Sequence, residues 1–371
     1  MSDNKKVIAI TANSYNYLVK FRSELAYYLK KQGYDVIFIS PMDACAQSIK
    51  NDIEHFTLSF NKAGYNFISL VVSTFQFIRI IRNRRVNIII NNTIKPLVAF
   101  SLIKYIPFIK IDVYSIVTGL GYIFTHDTIK TRFLRSLIRP LYKLSTSANL
   151  VLFLHNKDDE ELLKSKHFII KKQMTCITYG SGVDLNKFYP SQVANYNVFV
   201  FIGRLLRDKG ICEYLSAARI IKKDYENARF LVVGDYDSNP SGISRSYVQS
   251  YIDSNDIEYF GYLEDVRDVL AYSMCIVLPS YREGCPRAVI EAMAIGRAVI
   301  TTNVSGCRET TIHGYNGYLV SRESVDDLVV SIKYMIMNPD LVDSFCINSR
   351  KYAEKKFDID NVNQLIYKNI K

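Results

Sequence analysis

Five scattered histidines and seven cysteines in 371 residues, none with paired metal-ligand spacing, give no grouping that reads as a metal site. An odd, unpaired set of cysteines is that of a chain kept reduced, and a cytoplasmic location is expected. There is no helix-turn-helix, zinc finger or aromatic RNA-binding signature, so nucleic acid is not an expected partner. No Gly-x-Gly-x-x-Gly follows the first predicted strand, Val7-Ile8-Ala9-Ile10, which excludes a dinucleotide oxidoreductase. That strand follows Met1-Ser2-Asp3-Asn4-Lys5-Lys6 directly, and no signal peptide is expected. The most apolar stretch, Phe67 to Ile78, is about twelve residues long and ends in Arg79. It is too short to span a bilayer and is expected to be a core or interfacial helix. Short repeats and low-complexity tracts are absent as well.

What is present is an ordinary globular composition, 49% hydrophobic and 22% charged, with length for two domains that each bury a core. Charge is unevenly spread. Residues 1–190 hold 26 Lys and Arg against 13 Asp and Glu, a net +13, whereas the remainder comes to −2 of the total +11. The basic half is expected to meet something anionic, and a membrane surface fits better than nucleic acid.

Strand-like runs alternate with helical patterns, the signature of parallel sheets flanked by helices. Val7–Ile10, Asp35–Ser40, Val86–Asn91, Asp112–Val117, Leu150–Leu154 and Met174–Thr178 read as a first series of strands. Helices are expected at Val19–Lys31 and 66–83. After the polar stretch Phe188-Tyr189-Pro190-Ser191-Gln192, a second series runs Val198–Ile202, Arg229–Val233, Glu258–Phe260, Cys275–Leu278 and Ala298–Thr301. The fold class is therefore α/β. Residues 1–190 and 191–357 are expected to form two domains facing across a cleft, where ligand sites often sit. Residues 358–371 read as a terminal helix.

Two carboxylates stand out. Pro286 suits a first helical position and Gly296 the position past a helix end, so a short helix should lie between them. Glu283 then falls in the loop at the carboxyl end of the buried strand before it, where open α/β sheets bind ligands, with Glu291 further along the helix. An ionised carboxylate offers two oxygens that only accept, which suits sugar hydroxyls. Upstream, the strand Phe199–Ile202 breaks into a loop carrying Gly203, Arg204 and Lys209, just before a helix at about Ile211. A planar guanidinium and a compact ammonium at a strand end suit a diphosphate.

These segments, Gly203-Arg204-x5-Gly210 and Glu283-x7-Glu291, resemble the retaining glycosyltransferases of family 4, which have the GT-B fold of two Rossmann-like domains. Thr118-Gly119-Leu120-Gly121-Tyr122-Ile123-Phe124-Thr125, Gly180–Phe188 and Gly306-Cys307-Arg308-Glu309 are similar to the branch that builds bacterial O-antigen, capsule and related glycans. The resemblance runs from about Val7 to Phe357. It implies a nucleotide-sugar donor, such as a UDP-sugar, and no metal cofactor. By it, Arg204 and Lys209 grip the diphosphate with help from backbone near Gly284 and Cys285. Glu283 lies against the donor sugar and Glu291 against the ribose, while Gly261 and Leu263 hold the base through main-chain groups. It also implies that the tail helix packs back on the N-terminal domain.

The N-terminal half should hold the acceptor, an undecaprenyl-diphosphate-linked saccharide in this branch. Asn92-Thr93-Ile94-Lys95-Pro96 resembles the branch's Thr-x-Lys-Pro loop, and Lys95 is a candidate for the lipid diphosphate. Thr118, Gly119 and Gly121 are the other acceptor candidates, the glycines because they allow close backbone approach. Two departures limit the carry-over. Thr11-Ala12-Asn13-Ser14-Tyr15-Asn16 stands where many family members have a Gly-rich loop, and Thr118 where many have His. From Ile129 to Leu144 the apolar residues Ile129, Phe133, Leu134, Leu137, Ile138, Leu141 and Leu144 share one helical face, with Arg132, Arg135, Arg139 and Lys143 opposite. The expectation is that the apolar face packs inward, that Pro140 kinks or splits the helix, and that the basic face rests on an anionic inner leaflet. An epimerase of the same architecture and a non-catalytic nucleotide-sugar binder are the competing readings. The intact Arg204, Lys209, Glu283 and Glu291 set favours transfer over both.

Overall fold

The computed structural model describes residues 5–43, 52–59, 67–121, 124 and 127–370. The chain divides into two compact units, Met1–Ser181 with Asn361–Lys371, and Gly182–Asp360. The expected boundary at 190 is too late, for a plain reason. Val183 N–H donates to Phe357 O at 2.8 Å, Phe188 is buried with its carbonyl held by Arg350, and Ser191 N–H donates to Ile295 O at 3.1 Å. The polar stretch is thus sewn to the second unit rather than spanning between the two.

Unit 1 holds β1 (Val7–Thr11), β2 (Asp35–Ser40), β3 (Glu54–Thr57), β4 (Val86–Asn92), β5 (Asp112–Val117), β6 (Val151–Leu154) and β7 (Thr175–Ile177). They form one parallel sheet in the order β3-β2-β1-β4-β5-β6-β7. The central strands are near-continuous Ile, Val and Phe because helices cover both faces. β3 escaped the sequence reading: it is four residues long, polar and half exposed, with no apolar run to mark it. The helices are α1 (Tyr15–Lys31), α2 (Phe67–Asn83), α3 (Ile94–Phe100), α4 (Ile129–Ser147) and α5 (Lys157–Ser165). α1 begins four residues before the expected Val19, because the Ser14 hydroxyl accepts from Tyr17 N–H and caps it there. Of the Thr118–Thr125 segment, residues 122, 123 and 125 lie outside the described residues, as do 66 and 371.

α4 is not split at Pro140 but runs through it as one helix, and it overturns the expected orientation by being turned the other way round. Its inward residues are Thr131, Tyr142, Ser145 and Thr146, while Ile129 (87% exposed), Phe133 (71%) and Leu137 (66%) face outward with Leu134, Leu141 and Leu144. The polar side finds specific partners that a leucine could not use. Ser145 Oγ donates to Val98 O at 3.1 Å, Thr146 Oγ1 to Phe168 O at 3.3 Å, and the Arg139 guanidinium lies over the Phe168 ring at 5.7 Å. The outward side chains forgo roughly 1.5–3 kcal/mol each of burial.

Unit 2 holds β8 (Val198–Ile202), β9 (Arg229–Val233), β10 (Glu258–Gly261), β11 (Cys275–Leu278), β12 (Ala298–Thr302) and β13 (Gly317–Val320). The sheet is parallel, ordered β10-β9-β8-β11-β12-β13, the doubly wound arrangement. β13 was not expected either; two of its four residues are half buried and a glycine opens it. The helices are α6 (Ile211–Asp224), α7 (Arg245–Asp253), α8 (Arg267–Tyr272), α9 (Arg287–Ile295), α10 (Val325–Met337) and α11 (Pro339–Lys356). α9 starts one residue later than expected, with Pro286 as its cap (ψ 109°), and ends at Gly296 in the left-handed region (φ 84°). The last helix, α12 (Ile359–Asn369), returns to unit 1, where Val362, Ile366 and Ile370 join the core under α1 and β2.

Candidate functional site

In unit 2 the strand order reverses between β8 and β11, and ligands of such sheets bind at the carboxyl ends on either side of that point. The two loops leaving these strands are stitched together. Tyr281 N–H donates to Asp208 O at 2.8 Å, and Ser280 Oγ lies 3.1 Å from the same oxygen. Gly210, in the left-handed region (φ 74°), packs so tightly that a Cβ there would lie 2.1 Å from Pro279 O. This contact fixes the short turn Arg207–Lys209 and delivers the Lys209 ammonium to Glu283 Oε1, which also accepts from Ser280 Oγ at 2.7 Å. An ammonium has three donors, so Lys209 can hold Glu283 and still offer protons to a phosphate oxygen.

Arg204 stands apart from that pair. It is exposed and its Nη1 donates to Asp237 Oδ2 at 2.7 Å. Asp237 was not legible as a partner, since it sits in a loop 33 residues on. Behind Arg204 three strand ends lie in a row. Gly203 N–H donates to Val233 O at 3.0 Å and Gly234 N–H to Gly261 O at 2.7 Å. A Cβ on Gly234 would sit 1.8 Å from Gly203 O, so only glycine permits this approach. Leu263 follows, half-buried, just past β10.

Glu291 lies one to two turns into α9, half-buried, with Oε1 accepting from Arg287 Nε at 2.6 Å. Burial raises its pKa above the usual carboxylate range, and Arg287 partly offsets this. Glu291 keeps acceptor capacity beyond the one bond to Arg287. Gly284 and Cys285 lie between the two glutamates, and burial pushes the Cys285 thiol well up. The Gly306–Glu309 segment braces this region. Glu283 N–H donates to Ser305 O at 3.0 Å, and Lys356 Nζ donates to Glu309 Oε2 at 2.7 Å. Burial pushes the neighbouring Cys307 thiol up to about 12.

The acceptor candidates gather in unit 1 at the carboxyl ends of β4 and β5, which pair Asn92 with Ile116. Lys95 is in the first turn of α3, and burial lowers its pKa. Thr118, Gly119 (φ 149°) and Gly121 (φ 69°) follow β5. Sequence reasoning missed what lies beside them. Arg22, buried, donates from Nε to Asn92 Oδ1 and from Nη2 to Tyr17 Oη at 3.2 Å. An arginine on an amphipathic helix reads as solvated, so only the tertiary fold reveals it. The loop after β1 is also filled from within: the Asp43 carboxylate accepts from Ser14 Oγ at 2.6 Å and Asn16 N–H at 2.9 Å. A surface depression lined by Lys5, Lys30, Asp35, Arg84 and Arg85 lies at the amino-terminal ends of β1, β2 and β4, away from the acceptor candidates at the carboxyl ends. Among the described residues no three His, Cys, Asp or Glu side chains could hold a metal ion.

His155, at the end of β6, is buried with Nε2 lacking a hydrogen-bond partner. Burial first, then the charge on Arg22, pushes its pKa down from 6.5 to about 3. The unfolded chain therefore binds one proton more between those values. Stability from this group is complete above about pH 6.5 and declines as pH falls toward 3, by up to about 1.4 kcal/mol per pH unit. Urea unfolding of the parent and of His155→Gln at pH 7 and pH 5 should show the smaller loss in the variant. Equal losses would mean that another group governs acid sensitivity.

Residues 185–352 match the family model of glycosyl transferases group 1. Over 337 residues, 85% of each chain, the protein is 26% identical to N,N'-diacetylbacillosaminyl-diphospho-undecaprenol alpha-1,3-N-acetylgalactosaminyltransferase of Campylobacter jejuni. It is also 26% identical over 193 residues to UDP-Gal:alpha-D-GlcNAc-diphosphoundecaprenol alpha-1,3-galactosyltransferase of Escherichia coli, spanning 48% of this chain and 49% of that one. Among solved structures, sucrose-phosphate synthase from Thermosynechococcus elongatus superposes with a TM-score of 0.83 at 19% identity, covering 98% of each chain. Anabaena Alr3699/HepE in complex with UDP does so at 0.79 and 16%, covering 98% of this chain and 99% of that one. Two doubly wound units, the glycine-braced Lys209–Glu283 pair and a family match through residues 185–352 make the chain similar to the group 1 glycosyltransferases, and its fold is GT-B.

Proposed function

We propose that the protein transfers a sugar, a hexose or N-acetylhexosamine, from a UDP-sugar to a lipid-diphosphate-linked saccharide, with retention of anomeric configuration. The observation that carries this is the Lys209–Glu283 pair at the switch point of unit 2, with Arg204 on the same β8 loop. As the bond between the anomeric carbon and the diphosphate oxygen breaks, negative charge grows on the leaving group. Arg204 and Lys209 supply fixed positive charge there, so no metal is invoked. Glu283 takes the donor sugar's hydroxyls while Lys209, bonded to it, takes the phosphate. Bond breaking and sugar positioning are thus tied through one ion pair. The acceptor hydroxyl attacks on the face the leaving group departs from, and its proton passes to the departing diphosphate oxygen. Glu291 accepts from the ribose hydroxyls, remote from the chemistry.

The acceptor class is supported by the two relatives, whose names specify diphospho-undecaprenol-linked substrates, and UDP by the Anabaena complex. Such an acceptor places the protein at the cytoplasmic face of the cell membrane, in the synthesis of O-antigen or a related bacterial surface polysaccharide. Among the described residues no helix is long and apolar enough to cross that membrane. The test is incubation with a panel of UDP-sugars and an undecaprenyl-diphosphate-linked N-acetylhexosamine, followed by chromatography of lipid and nucleotide products. Transfer supports the proposal; epimerised donor, or donor binding without turnover of any kind, refutes it. In the same assay Glu291→Gln should raise the UDP dissociation constant by about tenfold or more, since a charge-assisted bond contributes about 1.5–3 kcal/mol. Turnover at saturating donor should stay within a few-fold. The reverse pattern would move Glu291 to the reacting sugar.

A further inference from the structure

Among the described residues the outward face of α4 has no partner within unit 1. Ile129, Phe133, Leu134, Leu137, Leu141 and Leu144 are all exposed along a helix about 28 Å long at 1.5 Å per residue. The stripe continues off the helix. Tyr105 Oη is hydrogen-bonded to Ser147 Oγ at 3.0 Å, and the loop it introduces carries Ile106 and Phe108. Phe108 holds a left-handed backbone (φ 68°) that leaves its ring 99% exposed. So large a contiguous apolar surface marks an interaction site.

The charges around the stripe say what covers it. Residues 101–150 hold seven Lys and Arg against two Asp, a net +5. Both acids are engaged, Asp112 by Lys104 and Asp127 by Arg132 and Arg135. Lys130 rises within the stripe, and Arg132 and Lys143 line one edge, all exposed. Such side chains lay their methylene stems along apolar surface and keep their charge at headgroup level. A second copy meeting the stripe about a two-fold axis would instead bring an equally basic surface against it, with both local acids already engaged. Apolar wedge and basic flank together match an anionic lipid surface, in which such a helix lies in plane.

We propose that the outward stripe of α4, with Phe108, inserts into the interface of an anionic bilayer and docks unit 1 on the membrane. This rests on the proposed function only in taking the membrane as partner. Through Ser145 and Val98 the inserted helix packs on α3, the helix that carries Lys95, so docking would bring the acceptor loop to the lipid surface.

The chain has no tryptophan, so Phe133→Trp or Phe108→Trp introduces a sole indole reporter. With the full-length protein and vesicles of phosphatidylcholine and phosphatidylglycerol, carrying neither acceptor nor donor, the emission should shift blue. Acyl-chain-brominated lipid should quench it. The double variant Phe133→Ser, Leu137→Ser should lose at least tenfold in vesicle partitioning while keeping its melting temperature and its slow hydrolysis of donor. Replacing Lys130, Arg132 and Lys143 by Ser should weaken binding at low salt and leave little further salt dependence. Unshifted, unquenched emission would overturn the proposal. So would parent-like partitioning of the double variant, or a parent dimer that this variant makes monomeric while neither protein binds vesicles. Because no substrate is present, failure here leaves the transfer assay untouched, and a failed transfer assay leaves insertion standing.

Discussion

Lys209→Ala should lower turnover by roughly ten- to a hundredfold or more, and Glu283→Ala by a similar factor, with both proteins folded. Each removes a charge-assisted contact of about 1.5–3 kcal/mol at the developing charge or the reacting sugar. The geometry makes a sharper claim than either single value. Lys209 and Glu283 are bonded to one another, so deleting the first already disorders the second. The double variant should therefore be little worse than the poorer single one. Arg204 is held by Asp237, outside this pair, and Arg204→Ala should multiply with Lys209→Ala. Single-turnover rates with saturating donor for the three singles and two doubles decide it. Near-normal hydrolysis and transfer in both Arg204→Ala and Lys209→Ala would remove the leaving-group role. Multiplicative losses for Lys209 with Glu283 would break the proposed unit.

The fold was legible because parallel strands buried on both faces write themselves as short runs of Ile, Val and Phe. The two strands that escaped, Glu54–Thr57 and Gly317–Val320, end their sheets, where one edge is unpaired and burial no longer constrains composition. The donor-side candidates were legible for a related reason: a doubly wound sheet puts its ligands at strand ends, and Gly203, Arg204 and Glu283 lie in the loops that follow buried runs. Their partners were not. Ser280 and Asp237, like Arg22 beside the acceptor candidates, are ordinary polar residues whose meaning lies in what the fold brings beside them. The orientation of Ile129–Ser147 shows the limit most clearly. Periodicity says that two faces differ; it does not say which one has a neighbour. Ser145, Thr146 and Arg139 found carbonyls and a phenylalanine ring, and the leucines were left outside.

Gly306→Ala should cost about a hundredfold in turnover although no Gly306 side chain exists to touch substrate. Gly306 has φ 79°, and a Cβ there would fall 2.2 Å from Glu283 O and 2.8 Å from Gly284 O. Both are backbone atoms, so the collision cannot be relieved by a rotamer change. Carbon and oxygen need more than 3 Å, so the Glu283 segment must move by about an ångström. That segment is anchored at one end by Glu283 N–H on Ser305 O and at the other by α9, and its carboxylate is the acceptor for Lys209 and Ser280. A displacement of that size at a reacting centre is of the order that loses a hundredfold. The left-handed backbone alone would cost an alanine about 1–2 kcal/mol of stability. Gly314→Ala separates the two effects, since Gly314 has nearly the same φ (74°) and nothing within 4 Å of the added carbon. Both variants should lose a few degrees of melting temperature, and only Gly306→Ala should lose turnover. If the two turn over within about threefold of each other, the Gly306–Glu309 segment braces the fold rather than Glu283.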